Sequence, residues 1–412
     1  MIEYKKRKKC AVCDSKVLST VLDFGEVPLA GNFPKLEELD NVKVYDLSLM
    51  ICDDCGLVQT NSIISPDILF KDYRYSSSVS LSKYFEDVSD MLDKKYNLKK
   101  SNILEIGCND GVLLKPLKEK GANVLGVDPA ENIVKYAKDK GLDVICDFFN
   151  YDFVAEYGLK ENFDIIIANN TFAHITEIKN VLEGIKYSLK KDGVFIFEVH
   201  YLKSLIKMNQ WDNIYHEHMY YYSVTAINNF MNKFNMTIVD FEEITNHSGS
   251  IRFYVKKIKH NKKNSKIIYK INKEMKELYP IINEFKENTK SHIESIQKLV
   301  KDLKSKGKKI IGYGSSGRAN MFCNIVGLTS YEIDYIVDES PERYNRFIPK
   351  SNIPIISKED MDFDADYVFI FAWNYSNMIM KKLNKYNFKY IIAFPEIQIV
   401  SNYNELNNKT GL

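Results

Sequence analysis

SNILEIGCNDGVLLKPLKEKGANVLGVDPAENIVKYA, residues 101–137, decides the fold. It reads as a strand, a glycine turn, a helix and a second strand. The apolar run Ile103–Ile106 carries Glu105 and opens into a turn containing Gly107, Asn109 and Gly111. Asp128, 21 residues after Gly107, ends the second strand, Asn123–Val127, and Pro129 follows it. An acid at that edge can accept both hydroxyls of a ribose, so topology alone leaves the cofactor open. The turn, G-x-N-D-G, lacks the G-x-G-x-x-G whose middle glycine admits a pyrophosphate. A cofactor without a pyrophosphate fits better, and S-adenosylmethionine is the usual one. A plain Rossmann layer with no cofactor is the alternative. The next strands comply: Val144–Cys146 runs into Asp147 and Phe148, and Phe163–Ala168 runs into Asn169 and Asn170.

Upstream, residues 1–70 hold short strands, turns and two C-x-x-C knuckles: Cys10 with Cys13, and Cys52 with Cys55. Two such knuckles suit tetrahedral zinc, since each lets two thiolates approach one ion at about 2.3 Å. Iron and free thiols are the alternatives. Four thiolates leave no open position, so the expected metal is structural.

Downstream, residues 71–258 complete the first β/α unit, and residues 259–308 read as connector helices. Ile267, Ile271, Met275 and Leu278, then Ile293, Ile296, Val300 and Leu303, recur at helical spacing, and Pro280 divides the two runs. The lysines there read as the wet face of a connector. Residues 309–412 form a second β/α unit. Its first strand leads into Gly312-Tyr313-Gly314-Ser315-Ser316-Gly317, a true G-x-G-x-x-G, and Asp338 ends the next strand. Taken alone this is the NAD fingerprint, and an NAD-dependent oxidoreductase is the rival reading. Only about 90 residues remain, which predicts one mononucleotide half rather than two. Such a half-site suits a nucleoside diphosphate lying over the turn and helix N-terminus. Arg318 and Asn320 are candidate phosphate or base contacts. Arg252 either reaches the pyrophosphate or sits in a surface salt bridge.

Composition closes other doors. Among 412 residues, 57 Lys and Arg against 55 Asp and Glu leave +2, so no global field favours nucleic acid or a membrane surface. The longest apolar runs, FDIIIA and DYVFIFAW, stop short of the roughly 18 residues of a membrane span. Met1 opens onto IEYKKRKK with no apolar segment behind it, which predicts a cytoplasmic protein whose cysteines are thiols or ligands.

Tyr215-His216-Glu217-His218 gathers two of the seven histidines with an acid and a phenol. Alternation across a strand would bury one imidazole, and H-x-H could bind a metal. Neither accounts for the whole cluster.

The four cysteines, EIGCNDG (105–111), NNTFAHI (169–175), IYHEHMYYYS (214–223), HSGSIRFYV (247–255) and IGYGSSGRAN (311–320), in that order, resemble the sugar C-methyltransferases. That family places a branch methyl on C3 of nucleotide-linked 4-keto-deoxysugars. The likeness runs over about residues 8–400. It implies an α/β chain with a zinc-binding N-terminal module, a central Rossmann-like class I methyltransferase domain, and a C-terminal Rossmann-like domain that helps hold a sugar nucleotide. It implies a monomer without nucleic-acid or membrane partners. Methylating carbon needs a proton removed beside a ketone, which a near-neutral imidazole can do. The resemblance gives that role to His218, with Tyr215 and Glu217 in support, His174 as a further active-site histidine, and Tyr75 near substrate and cofactor. His247 stands in HSGS where the family has HGGS, so its substrate contact is less directly implied. A non-catalytic zinc-bearing scaffold is the remaining alternative.

Overall fold

A computed structural model describes residues 3–71, 78–244, 249–258, 264–362 and 364–410. Strands β1 (Tyr4–Lys6) and β5 (Ser62–Ile64) pair antiparallel near the N-terminus. Beside them β2 (Leu18–Pro28), β3 (Val44–Cys52) and β4 (Val58–Thr60) form an antiparallel meander. The sheet takes a fourth strand from far along the chain: Tyr220–Tyr221 pairs with β4. The segment after the histidine cluster is thereby anchored in the cysteine-bearing module.

The central sheet contains β6 (Asn102–Ile106), β7 (Asn123–Val127), β8 (Val144–Ile145), β9 (Phe163–Asn169) and β10 (Leu189–His200). Tyr220–Tyr221 is β11, and β12 (Thr237–Ile244) and β13 (Ser250–Lys256) complete the sheet. The order is β12-β13-β10-β9-β6-β7-β8, with β13 antiparallel to both neighbours. Four of the five β6 residues are buried, the pattern of a parallel strand covered on both faces. The order reverses beside β6, so a crevice opens beyond the C-terminal ends of β6 and β9.

Two helices, Ser265–Glu277 and Ile282–Ser305, lead out of this sheet, and Pro280 sits in the 3-10 turn between them. The first departs from the expected apolar stripe. Met275 is exposed, while Lys270 and Glu274 are buried. The cause is polar anchoring: Glu274 accepts from the N–H groups of Val224 and Thr225, at 2.9 and 2.8 Å, and from the Tyr201 hydroxyl. A carboxylate at a helix N-terminus meets the positive end of the dipole. Lys270 pairs with Glu243.

The C-terminal sheet comprises β14 (Ile310–Tyr313), β15 (Ile336–Val337), β16 (Arg346–Ile348), β17 (Ile353–Ile356), β18 (Tyr367–Ile370), β19 (Lys389–Ile392) and β20 (Gln398–Val400). Its order, β16-β17-β15-β14-β18-β19-β20, contains five parallel strands running outward in both directions from β14. This corrects the expected mononucleotide half. Strands of two to four residues fit a doubly wound sheet into the same length, so size does not disfavour a dinucleotide. Its strand order reverses beside β14, and Gly314 and Phe371–Trp373, just past the ends of β14 and β18, line a cavity. Among the described residues no helix is long and apolar enough to cross a membrane.

Candidate active site

The four cysteines of the N-terminal module converge as their spacing predicts. Their sulfurs lie within 4.8 Å of one another, with Cys10–Cys55 at 3.6 Å and Cys13–Cys52 at 3.4 Å. Four thiolates around one zinc at 2.3 Å would stand about 3.8 Å apart, so the donor set fits tetrahedral zinc. Gly56, at φ +74°, turns the chain away from the second knuckle.

At the C-terminal ends of β6 and β7 the glycine turn is tightly drawn. Gly107 has φ +68°, and a Cβ there would meet Thr171 Oγ1 at 2.3 Å. Asp128 braces the loop, accepting from Asn109 N–H at 3.0 Å and Ala130 N–H at 2.9 Å. Burial raises the Asp128 carboxyl's pKa against those bonds. Glu105 is buried, and desolvation, with the charges of Asp128 and Asp110 beside it, pushes its carboxyl well above the usual range. Glu105 Oε2 and both side-chain polar atoms of Asn169 are buried with no hydrogen-bond partner among the described residues. Such groups carry a desolvation cost that a polar ligand relieves. Together with Gly111, Pro129, Asp147 and Phe148 on the same strand ends, they could hold a charged, nucleoside-bearing cofactor.

Next to Asn169 a cavity of about 930 Å³ opens, and all three modules line it. The N-terminal module contributes Ala30–Phe33, the central domain His174, His200 and Tyr215, and the C-terminal module Gly314, Arg318 and Trp373. Asn169, Glu217, His218, Gly317 and Asp338 also face it.

Tyr215–His218 forms a tight turn rather than a strand, with His218 N–H bonded to the Tyr215 carbonyl at 3.0 Å. The turn folds the two rings face to face, centroids 3.9 Å apart. His218 Nδ1 lies 3.1 Å from the Asn213 carbonyl, and Nε2 lies 2.8 Å from the Tyr215 hydroxyl. A carbonyl can only accept, so the imidazole proton sits on Nδ1. Nε2 is then the acceptor, with the Tyr215 hydroxyl donating to it. Burial, followed by the neighbouring His174, holds the His218 pKa well below the usual imidazole range, and His200 and Arg318 add to this. His174 meets His218 edge-on at 4.9 Å, and burial lowers its own pKa to about 4. Glu217 Oε1 accepts from Gly31 N–H at 3.1 Å, its Oε2 is buried without a partner, and burial raises its pKa. His216 points away, fully buried beside Tyr45. The arrangement offers a neutral imidazole base, a phenol on its basic nitrogen and a carboxyl nearby.

At the glycine turn, Gly314 (φ +89°) leaves room that a Cβ would lose to Ala372 at 2.6 Å. Four residues read as substrate contacts have other partners in the structure. Arg252 does not line the cavity: it is buried against Glu198 at 2.8 Å and Glu242 at 3.6 Å, because β13 turns that face toward the helix Ser78–Tyr96 and Tyr84. The Asn320 carboxamide is spent on the Leu29 and Ala30 carbonyls, both at 3.0 Å, clasping the N-terminal module. Asp338 faces the cavity, but its oxygens already accept from Ser315 N–H and hydroxyl, Ser340 N–H and Arg343. It braces the loop. Gly312 packs under Ile336 and Phe371. Tyr75 and His247 lie outside the described residues. Sequence reasoning missed Gly31, Asp212 and Trp373, whose partners lie 186, 106 and 161 residues away, and also Asn213 and Arg343, which meet His218 and Asp338 only through the folding of a short local loop.

Three families match this chain in order: a zinc binding domain over residues 10–70, a methyltransferase domain over 77–240, and a C-methyltransferase C-terminal domain over 245–395. The chain is 29% identical over 406 residues to C-methyltransferase NovU of Streptomyces niveus, spanning 95% of this chain and 97% of that protein. A malonyl-[acyl-carrier protein] O-methyltransferase of Acetivibrio thermocellus is 32% identical over 108 residues, 26% of this chain and 37% of that protein. Among solved structures, an S-adenosylmethionine-dependent methyltransferase from Clostridium acetobutylicum ATCC 824 aligns with 42% of this chain and 91% of its own, at 18% identity and a TM-score of 0.34.

Proposed function

Because the chain is an S-adenosylmethionine-dependent C-methyltransferase, we propose that its acceptor is a nucleoside-diphosphate-linked 4-keto-deoxysugar, methylated at C3. The observation that carries this reading is the Tyr215–His218 pair, with Nε2 proton-free, in the same cavity as the Gly314–Arg318 turn. Carbon beside a ketone becomes a nucleophile only once its proton is removed. His218 Nε2 takes that proton, and the Asn213 carbonyl stabilises the imidazolium through Nδ1–H. The Tyr215 hydroxyl, released from Nε2, donates to the enolate oxygen. Glu217, whose pKa burial raises, brings a carboxyl into the same cavity. S-adenosylmethionine, when bound, supplies the electrophilic methyl that the enolate carbon takes up. Glu105, Gly107, Asn109, Gly111, Asp128, Pro129, Asp147, Phe148 and Asn169 would hold it. Cys10, Cys13, Cys52 and Cys55 would hold zinc in a closed, structural site.

The C-terminal crevice supports a nucleoside diphosphate over NAD. The acid that would choose an NAD ribose, Asp338, already accepts four hydrogen bonds, from Ser315 N–H and hydroxyl, Ser340 N–H and Arg343. Gly314, Ser316 and the guanidinium of Arg318 remain on the cavity wall, where a diphosphate can meet backbone N–H groups and a cation. Methyl-to-carbon NMR correlations on the product test the reading. A new methyl bonded to ring carbon supports it, and a methyl on oxygen or nitrogen contradicts it.

A further inference from the structure

A single turn, Trp211–Asn213, precedes the Tyr215–His218 turn, and its last residue lines the cavity. Its middle residue, Asp212, is 1% exposed and accepts three hydrogen bonds from the C-terminal module. Arg318 donates through Nε at 2.9 Å and Nη2 at 2.7 Å, and Trp373 through Nε1 at 3.1 Å. The guanidinium also lies over the Trp373 ring, 4.8 Å from its centroid, so it is held by its edge and by its face. Its third nitrogen, Nη1, makes no hydrogen bond among the described residues, and Arg318 lines the cavity beside Gly314 and Ser316.

The next residue meets the Tyr215–His218 turn. The Asn213 carbonyl accepts from His218 Nδ1 and from the Tyr221 hydroxyl, each at 3.1 Å. One peptide link therefore joins the carboxylate that orients the arginine to the carbonyl that sets the imidazole tautomer. We infer that Asp212 is a positioning residue with two ends: it aims Arg318 at the anionic part of the substrate and holds the turn that keeps His218 proton-free at Nε2. A buried carboxylate persists only when it is paired, and this one is paired across the module boundary at the wall of the cavity. A tie serving stability alone would need neither the cavity wall nor the adjoining carbonyl. The first half of the inference rests on the proposed acceptor; the second half stands without it.

Asp212→Asn preserves size and one oxygen but removes the charge and the fork. It should weaken thymidine or uridine diphosphate by about tenfold in calorimetry, with S-adenosylhomocysteine affinity and melting temperature near wild type. In ¹⁵N spectra of the histidine rings, the His218 signal (identified by its loss in His218→Asn) should change from one Nδ1–H form to a tautomer mixture. Arg318→Lys, which removes the fork from the other side, should produce both changes if Asp212→Asn does not fold. An unchanged ring signature or unchanged diphosphate affinity in a folded variant overturns the two-ended role. A fall in melting temperature alone also overturns it. Wild type binding neither diphosphate would count against the acceptor class instead, and the ring signature would then decide the role of Asp212.

Discussion

The hydroxyl of Tyr215 lies 2.8 Å from Nε2 of His218, and the two rings stack with centroids 3.9 Å apart. In the proposed mechanism the pair acts as one proton-handling unit, since the nitrogen that would take the substrate proton is the one the phenol addresses. A positioned base contributes about 10²–10⁴-fold in rate. His218→Asn should lower kcat by about that factor with binding of both substrates little changed. Tyr215→Phe should lower kcat less, because it removes a donor while leaving the base. His216→Asn should do least, since its ring lies outside the cavity. Steady-state kinetics on the three variants checks the order.

The depressed pKa of His218 fixes the acid side of the rate profile. Its imidazole stays neutral below the ordinary value of about 6.5. The acid limb of kcat should therefore lie below pH 6.5, and a limb at or above that value would contradict the assignment. Stability follows a related rule with its own sign. His174 and His216 titrate in the folded protein at about 4, whereas the unfolded chain takes those protons near 6.5. Between these values the unfolded state binds more protons, so stability falls as pH drops from about 6.5 toward 4. For the fully buried His216 the loss approaches about 3 kcal/mol by pH 4. Melting temperatures across that window should fall, and fall less steeply in a folded His216 variant.

One equivalent of zinc should copurify with the chain. Structural zinc in small modules typically contributes about 10–16 kcal/mol of binding free energy, so Cys13→Ser should unfold the N-terminal module. The loss should reach kcat as well, because Gly31 N–H from that module holds Glu217. Elemental analysis and near-ultraviolet circular dichroism on the variant check both statements. Folded, active protein without metal would contradict them.

The two glycine turns should separate cleanly. Asp128→Asn gives up one acceptor in the brace of the first turn, and hydrogen bonds to charged groups contribute about 1.5–3 kcal/mol. S-adenosylhomocysteine should bind roughly ten- to a hundredfold more weakly, with nucleoside diphosphate affinity unchanged. Gly314→Val should do the reverse, since its Cβ would strike Ala372 and distort the second turn. Calorimetry with the two ligands reads both. NAD binding that Gly314→Val abolishes would favour the oxidoreductase instead.

Both Rossmann-like layers were legible because their signals are local. Strand, glycine turn and acid fall within about thirty residues, and the cysteine pairs carry their own spacing. The seven-stranded C-terminal order, with its five parallel strands, was not legible, since β15 has two residues and no periodicity to detect. The histidine cluster was visible as a cluster, but its geometry was not. Nothing local says that Asn213 would accept from Nδ1, or that Asp212 would meet an arginine 106 residues away. Arg252 was legible only as a choice between a pyrophosphate contact and a surface salt bridge, and it makes a salt bridge, buried rather than at the surface. An arginine in a strand gives no sign of which side its partners approach, and here they are the buried Glu198 and the partly exposed Glu242.

The central claim is that His218 removes a proton from carbon beside a ketone, and solvent exchange reads that step without methyl transfer. The measurement is deuterium incorporation at C3 of a nucleotide-linked 4-keto-deoxysugar, in deuterated buffer with S-adenosylhomocysteine bound. Wild type should wash deuterium into C3, and folded His218→Asn should not. Exchange at the wild-type rate in His218→Asn would place the base elsewhere, with His174 the next candidate.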